Sequence, residues 1–286
     1  MSETALSLQP SRGKADTATA GADAPRHARR VLRAFAWRIA PWLLPAALFA
    51  LWNIGCAHGW IAPQILPPPE RVYETFIDLA RSGDLARNTL ISLQRVLLGF
   101  GVGTLTGFVI GGALGLSRTL EAYVLPSFNA LVQIPVLGWL PFLLLLVGVG
   151  EPLKYLLIAH AALVPVTLST LQGFRQTPAE LDEVARVFEY RRWQRIVYLV
   201  LPAAVPTLAT GVRLAFTKAW LALVVVELVA SSEGLGYLIV YGRQLFQLDL
   251  VMASVVVVGA VGLAMNRMLD ALEKRLRRGL PSAFRE

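Results

Sequence analysis

Charge and cysteine are both scarce in this sequence. Of 286 residues only 16% are charged while 55% are hydrophobic, and the mean hydropathy is +0.56. A soluble domain of this length needs more charge to wet its surface. The single cysteine, Cys56, rules out an intrachain disulfide and a Cys-based metal cluster. His27, His58 and His160 are far apart and show no ligand spacing, so no metal is expected. No Gly-Lys-Ser/Thr follows a glycine-rich turn, so the chain is not expected to hydrolyse ATP. Gly-x-Ser-x-Gly and His-Glu-x-x-His are also missing, which removes the usual hydrolase constellations. No catalytic residue and no cofactor are therefore expected. Short alternating segments of the kind that build a membrane barrel are missing as well.

What is present is a series of long apolar blocks: roughly 39–57, 91–116, 124–147, 155–171, 203–230 and 250–269. About 20 apolar residues carry a helix across a hydrocarbon core of about 30 Å. Backbone groups in lipid must be satisfied within their own segment, so these blocks predict helices. The fold class is all-α, a polytopic membrane protein with about six transmembrane helices. The net charge of +8 and pI near 10.1 raise nucleic acid as a partner, but most arginines flank the apolar blocks, so none is expected.

Residues 1–30 read as a polar cytoplasmic tail, 31–64 as the first transmembrane helix with its flanks, 65–278 as the main transmembrane domain, and 279–286 as a short tail. Arg26, Arg29, Arg30, Arg33 and Arg38 precede the first block. That block starts too late and runs too long for a cleaved signal, so a retained helix is expected. Arg186, Arg191, Arg192 and Arg195 mark the long polar stretch 172–195 as cytoplasmic, and Lys274, Arg275, Arg277 and Arg278 do the same for the C-terminus. Six spans with both termini in the cytoplasm satisfy this bias. The run Val72–Arg81 predicts a short interfacial helix, and the segment 231–249 an exterior loop. Gly103, Gly107 and Gly111 sit at four-residue spacing, which lets helices approach closely. Trp37, Trp42, Trp52, Trp60 and Trp139 read as interfacial anchors.

The segment 178–202 is unlike an ordinary loop. Pro178 opens a helix, with Glu180, Asp182 and Glu183 in its first turns, where the helix dipole favours acids. Leu181, Val184, Ala185 and Phe188 recur at helical spacing, and Trp193, Ile196, Val197 and Val200 form a second amphipathic run, which Pro202 is expected to end. A helix-turn-helix with a partly apolar outer face requires a partner.

Glu183-Val184-Ala185, Leu199 and Leu201-Pro202 stand at the spacing of the EAA loop, and the segment resembles that loop in permeases of ATP-binding-cassette (ABC) importers. Val184 replaces an alanine. Glu189 occupies the family's glycine position, which forgoes glycine's freedom at positive φ and puts the turn geometry in question. Leu66-Pro67-Pro68-Pro69 with Val72, Leu114-Gly115-Leu116-Ser117-Arg118, Val149-Gly150-Glu151 with Lys154, and Gly234-Leu235-Gly236-Tyr237-Leu238-Ile239 are similar to segments of the nitrate/sulfonate/taurine group in the same order. The resemblance covers about residues 65–278. It implies a type I importer permease in the inner membrane that moves a small anion of the sulfonate, taurine or nitrate class. Its implied partners are a second permease copy, an ATP-binding subunit dimer, a periplasmic substrate-binding protein and the surrounding lipid. Glu183, Ala185, Val187, Phe188, Glu189, Leu201 and Pro202 would then form the coupling surface toward the ATPase. Glu183 either pairs with a base on that subunit or caps its own helix.

Glu227, an acid inside an apolar block, is a candidate for the translocation path; otherwise it pairs with Arg213, Lys218 or a base from another helix. Arg213 is the second path candidate; Arg213 and Lys218, in the cytoplasmic half of the block, either help an anion leave or reach lipid headgroups. Arg95 is expected to snorkel to the interface, and His160 to be a core histidine. The rival function is an ion-coupled secondary transporter, which would show inverted repeats or several intramembrane acids.

Overall fold

A computed structural model describes residues 24–60, 62–177, 183 and 185–278, with side chains from residue 40 to 275 within those bounds. The part of the N-terminal tail before residue 24, the opening turns at 178–182 and the C-terminal tail lie outside the described residues. The chain falls into two compact units, 1–61 and 62–286.

The first unit contains α1 (Ala24–Ala57), which starts inside the stretch read as tail. Trp42, Leu43, Leu44, Leu48 and Leu51 are exposed around its circumference, as suits a helix whose solvent is lipid. Pro41 and Pro45 lie within it.

The second unit is built of helices joined by short turns, with no strand among its described residues. Pro69 and Gly83 bracket the amphipathic helix α2 (Pro69–Ser82), with Pro69 in its first turn and Gly83 in the left-handed conformation after its end. The first long helix of the unit is α3 (Asp84–Leu116). Ser117 then caps α4 (Arg118–Val132), its side chain accepting from the Leu120 N–H. The block 124–147 does not form one straight span. It breaks at Gln133–Pro135, passes through a 3₁₀ turn (Val136–Trp139) and resumes as α5 (Leu140–Val147), with a bend of 88°. Pro135 lacks the N–H that would continue the helical ladder, which explains the break.

α6 (Glu151–Arg175) packs on α3 along most of its length. α7 (Arg192–Arg195) passes through a π-helical turn (Ile196–Val200) into α8 (Leu201–Ala230). Pro202 therefore does not end the second amphipathic run. The Leu201 N–H bonds back five residues to the Ile196 carbonyl, and this wider turn absorbs the proline ring without breaking the helix. The loop expected at 231–249 holds another helix, α9 (Leu235–Gln244), before α10 (Leu248–Arg278). Among the described residues five helices are long and apolar enough to cross a membrane, six if the bent pair counts as one span.

α3 and α6 run parallel in register. Arg95 meets Glu151 across a sequence offset of 56, and Gly103, Gly107 and Gly111 meet the backbones of Ala159, Leu163 and Thr167 at that same offset. A Cβ at Gly103 would lie 2.2 Å from the Ala159 carbonyl oxygen, so nothing larger than glycine fits there. The glycine spacing visible in the sequence is thus the seam along which α3 and α6 meet backbone to backbone. Val96, Ile158, Ala162, Phe216 and Leu223 fill the core beside it.

Candidate functional site

At the Glu151 end of the bundle four helices meet in a polar knot. Arg95, on α3 and expected at the interface, is instead buried with only 5% of its side chain exposed. Its guanidinium grips both Glu151 oxygens, with Nε donating at 2.9 Å and one terminal nitrogen at 2.6 Å. The other terminal nitrogen donates to Glu227 Oε1 at 2.9 Å, Ser231 Oγ at 3.1 Å and the Glu233 carbonyl at 2.6 Å. Lys154 Nζ donates to Glu151 at 2.7 Å. Two bases thus face two acids, so the buried charges of Arg95, Lys154 and Glu227 are balanced together with the half-exposed Glu151.

Glu227 has 1% of its side chain exposed, and its acceptors are fully used: Ser92 donates to it at 2.8 Å and the Gly236 N–H at 2.9 Å. The geometry is that of the buried pair with another helix's base, and the base is Arg95. The Ser92 hydroxyl also accepts from the Leu235 N–H, and Asn88 Oδ1 from the Gly234 N–H. Gly234 has φ +112, and a Cβ there would fall 2.3 Å from Glu227 Oε1. Two motifs far apart in sequence are therefore tied to α3, Glu151 with Lys154 through Arg95, and Gly234-Leu235-Gly236 through Asn88, Ser92 and the Glu227 that Arg95 holds. Sequence reading placed Arg95 wrongly because a lone arginine near a helix end carries no sign of acids more than 50 positions away.

Arg213 lies in the first half of α8, about 21 Å along the helix from Glu227; it is 3.0 Å from Asp270 and 3.5 Å from Glu273 on α10, and Lys274 also bonds Asp270. It does not approach Glu227. Arg175 at the end of α6 pairs with Glu121.

The helix-turn-helix is described from Glu183 and from Ala185 onward. Ala185 is buried, whereas Glu183, Val187, Phe188 and Glu189 are exposed. The turn keeps the geometry that a glycine would give. Glu189 adopts φ +52; its N–H bonds to the Arg186 carbonyl at 3.0 Å, and the Tyr190 N–H to the Ala185 carbonyl at 2.9 Å. These two bonds are the Schellman closure of a helix, with a glutamate in the left-handed position. The Gln194 side chain accepts from the Arg191 N–H and opens the next helix. Leu199 is buried, and Leu201 and Pro202 lead into the span.

A bundle of membrane-length helices with a parallel glycine seam, a broken span and an exposed amphipathic helix-turn-helix is the architecture of a type I importer permease. The chain belongs to the family described as binding-protein-dependent transport system inner membrane component, whose model matches residues 103–278. It is 39% identical over 234 residues to SsuC of Bacillus subtilis, a permease assigned to aliphatic sulfonate transport, covering 82% of this chain and 85% of that one. It is 30% identical to the taurine transport system permease protein TauC of Escherichia coli (81% and 86% covered). The bicarbonate transport system permease protein CmpB of Synechococcus elongatus is 33% identical (83% and 90% covered). Among solved structures, a chain of the inward-facing MetNI methionine ABC transporter superposes with TM-score 0.52 at 19% identity, covering 64% of this chain and 94% of that one, which supports the fold. The protein is thus a multi-pass, non-hydrolysing permease subunit that works with a separate ATPase chain and a substrate-binding protein.

Proposed function

We propose that two copies of this chain form the translocation path of an importer for a small organic anion of the sulfonate class. Both termini and the 178–202 loop would face the cytoplasm, with lipid around the outer faces of the helices. Relatives named for aliphatic sulfonates and for taurine, each aligned over about four-fifths of the chain, support that cargo over nitrate. The orientation rests on the arginines at 26–38, 186–195 and 275–278.

The observation that carries the coupling role is the exposed apolar surface on the helix-turn-helix. Val187 is 80% exposed, Phe188 69% and Trp193 54%, with Tyr190 and Tyr198 beside them. Such a surface at the tip of a short helix fits a groove on the ATPase subunit, with Glu183 and Glu189 as flanking charges. Leu201 and Pro202 tie it to α8, so a push on the loop is passed straight into a spanning helix. Glu227 contributes to the path indirectly, by holding the far end of α8 against α3, and Arg213 by tying the first half of α8 to α10.

Co-purification of the tagged chain with its ATPase subunit in mild detergent tests this reading. A stoichiometric ATPase that is lost when 183–195 is deleted, or when Phe188→Asp is introduced, supports it. A permease that purifies alone and carries ethanesulfonate into liposomes without ATP would restore the secondary-transporter alternative.

A further inference from the structure

Lys218 is an ammonium midway along a membrane helix. Helical rise places it about 13 Å from the level of Glu227, and about 16 Å from Thr207, which bonds Gln176 just beyond α6. A four-carbon stem falls well short of either end. Arg213, five positions earlier, is on nearly the opposite face of the helix and is taken up by Asp270 and Glu273. Lys218 is exposed on the chain surface, and no carboxylate among the described residues reaches it. A charge so placed is untenable against hydrocarbon and requires water or an anion.

Lys218 lines a cleft of about 420 Å³ together with His160 of α6 and the broken part of the third span at Ile134, Pro135 and Leu137. His160 is also nine positions from its knot acid, Glu151, so the imidazole and the ammonium lie at the same depth. Trp139 stands edge-on to His160 at 5.8 Å, and its buried indole N–H has no acceptor among the described residues. It is therefore not the interfacial anchor expected from its position in the sequence. The remaining walls, including Val164 and Leu221, are apolar.

We infer that this cleft is a transient binding site for the cargo anion within the membrane. The Lys218 ammonium would take the anionic headgroup, His160 would donate a hydrogen bond to it, and the apolar walls would take an alkyl body. A cleft of this volume, mostly apolar with a few polar groups, suits a small amphiphilic anion better than a bare inorganic ion. The inference deepens the importer reading and rests on it, because two copies must enclose a watered path for the cleft to open upon.

The test uses the full-length permease with its ATPase subunit in nanodiscs, carrying Cys56→Ser and Leu221→Cys. The probes are a sulfonatoethyl methanethiosulfonate and its trimethylammonium counterpart. With Lys218 present the anionic reagent should modify position 221 about tenfold faster than the cationic one, after correction for their rates on free thiol. Ethanesulfonate should slow it. Lys218→Gln should collapse the ratio toward one, and Lys218→Arg should keep it. A cysteine that neither reagent reaches, or a ratio unchanged in Lys218→Gln, would overturn the site. The measurement needs no transport, so its failure is distinct from failure of the sulfonate uptake assay.

Discussion

Arg95 on α3 and Glu227 on α8 form a 2.9 Å ion pair whose side chains are 5% and 1% exposed, and Glu151 on α6 completes it from the other side. Removing one member leaves an uncompensated charge where water cannot reach, a loss of about 3–5 kcal/mol. Arg95→Leu should therefore sharply lower the thermal midpoint of the purified complex. Arg95→Leu combined with Glu227→Leu should recover part of that loss, since both buried charges of the pair then go together. A double mutant no better than the sum of its singles would show that the pair is not coupled.

Gly103 and Gly101 separate packing from propensity. Both are helical glycines, but a Cβ at Gly101 meets nothing within 4 Å, whereas at Gly103 it meets the α6 backbone at 2.2 Å. Gly101→Ala should be neutral or stabilising by up to about 1 kcal/mol, from helix propensity. Gly103→Ala should destabilise by about 1–3 kcal/mol through overpacking. Size-exclusion profiles and thermal melts of the two variants read the difference directly.

Glu189→Gly replaces a left-handed glutamate by the residue with no Cβ penalty. The substitution should steady the turn by about 1 kcal/mol. Hydrogen exchange at the Tyr190 amide, which closes the turn onto Ala185, should slow. Faster exchange would mean that the Glu189 side chain, rather than the backbone, holds the turn.

Gly234→Ala strikes the knot without touching a charge. Its Cβ would fall on the Glu227 carboxylate and its φ of +112 suits only glycine. Loss of stability comparable to that of Arg95→Leu is expected. A variant that melts like the parent would show that the 231–236 segment can move off Glu227 at little cost.

Apolar runs, arginine flanks and the spacing of residues 183–202 were sufficient to recognise helices, spans and the family, because those properties are periodic and local. The glycine seam was legible for the same reason, and its partner strip on α6 was not, because register between helices is invisible in either helix alone. Tertiary structure alone decided the fate of the charged side chains. Arg95 became a buried hub, Glu227 its partner, Lys154 part of the same knot, and Arg213 a tie to the last helix. Lys218 was left facing a cleft with no carboxylate among the described residues in reach, whereas Arg213 lines another beside its own acids. Pro202 and Glu189 show the same limit at smaller scale: a proline expected to stop a helix was absorbed by a π turn, and a non-glycine residue took a glycine's conformation. Backbone rules state what a residue prefers by a kcal/mol or two, and the packing of a whole bundle overrides preferences of that size.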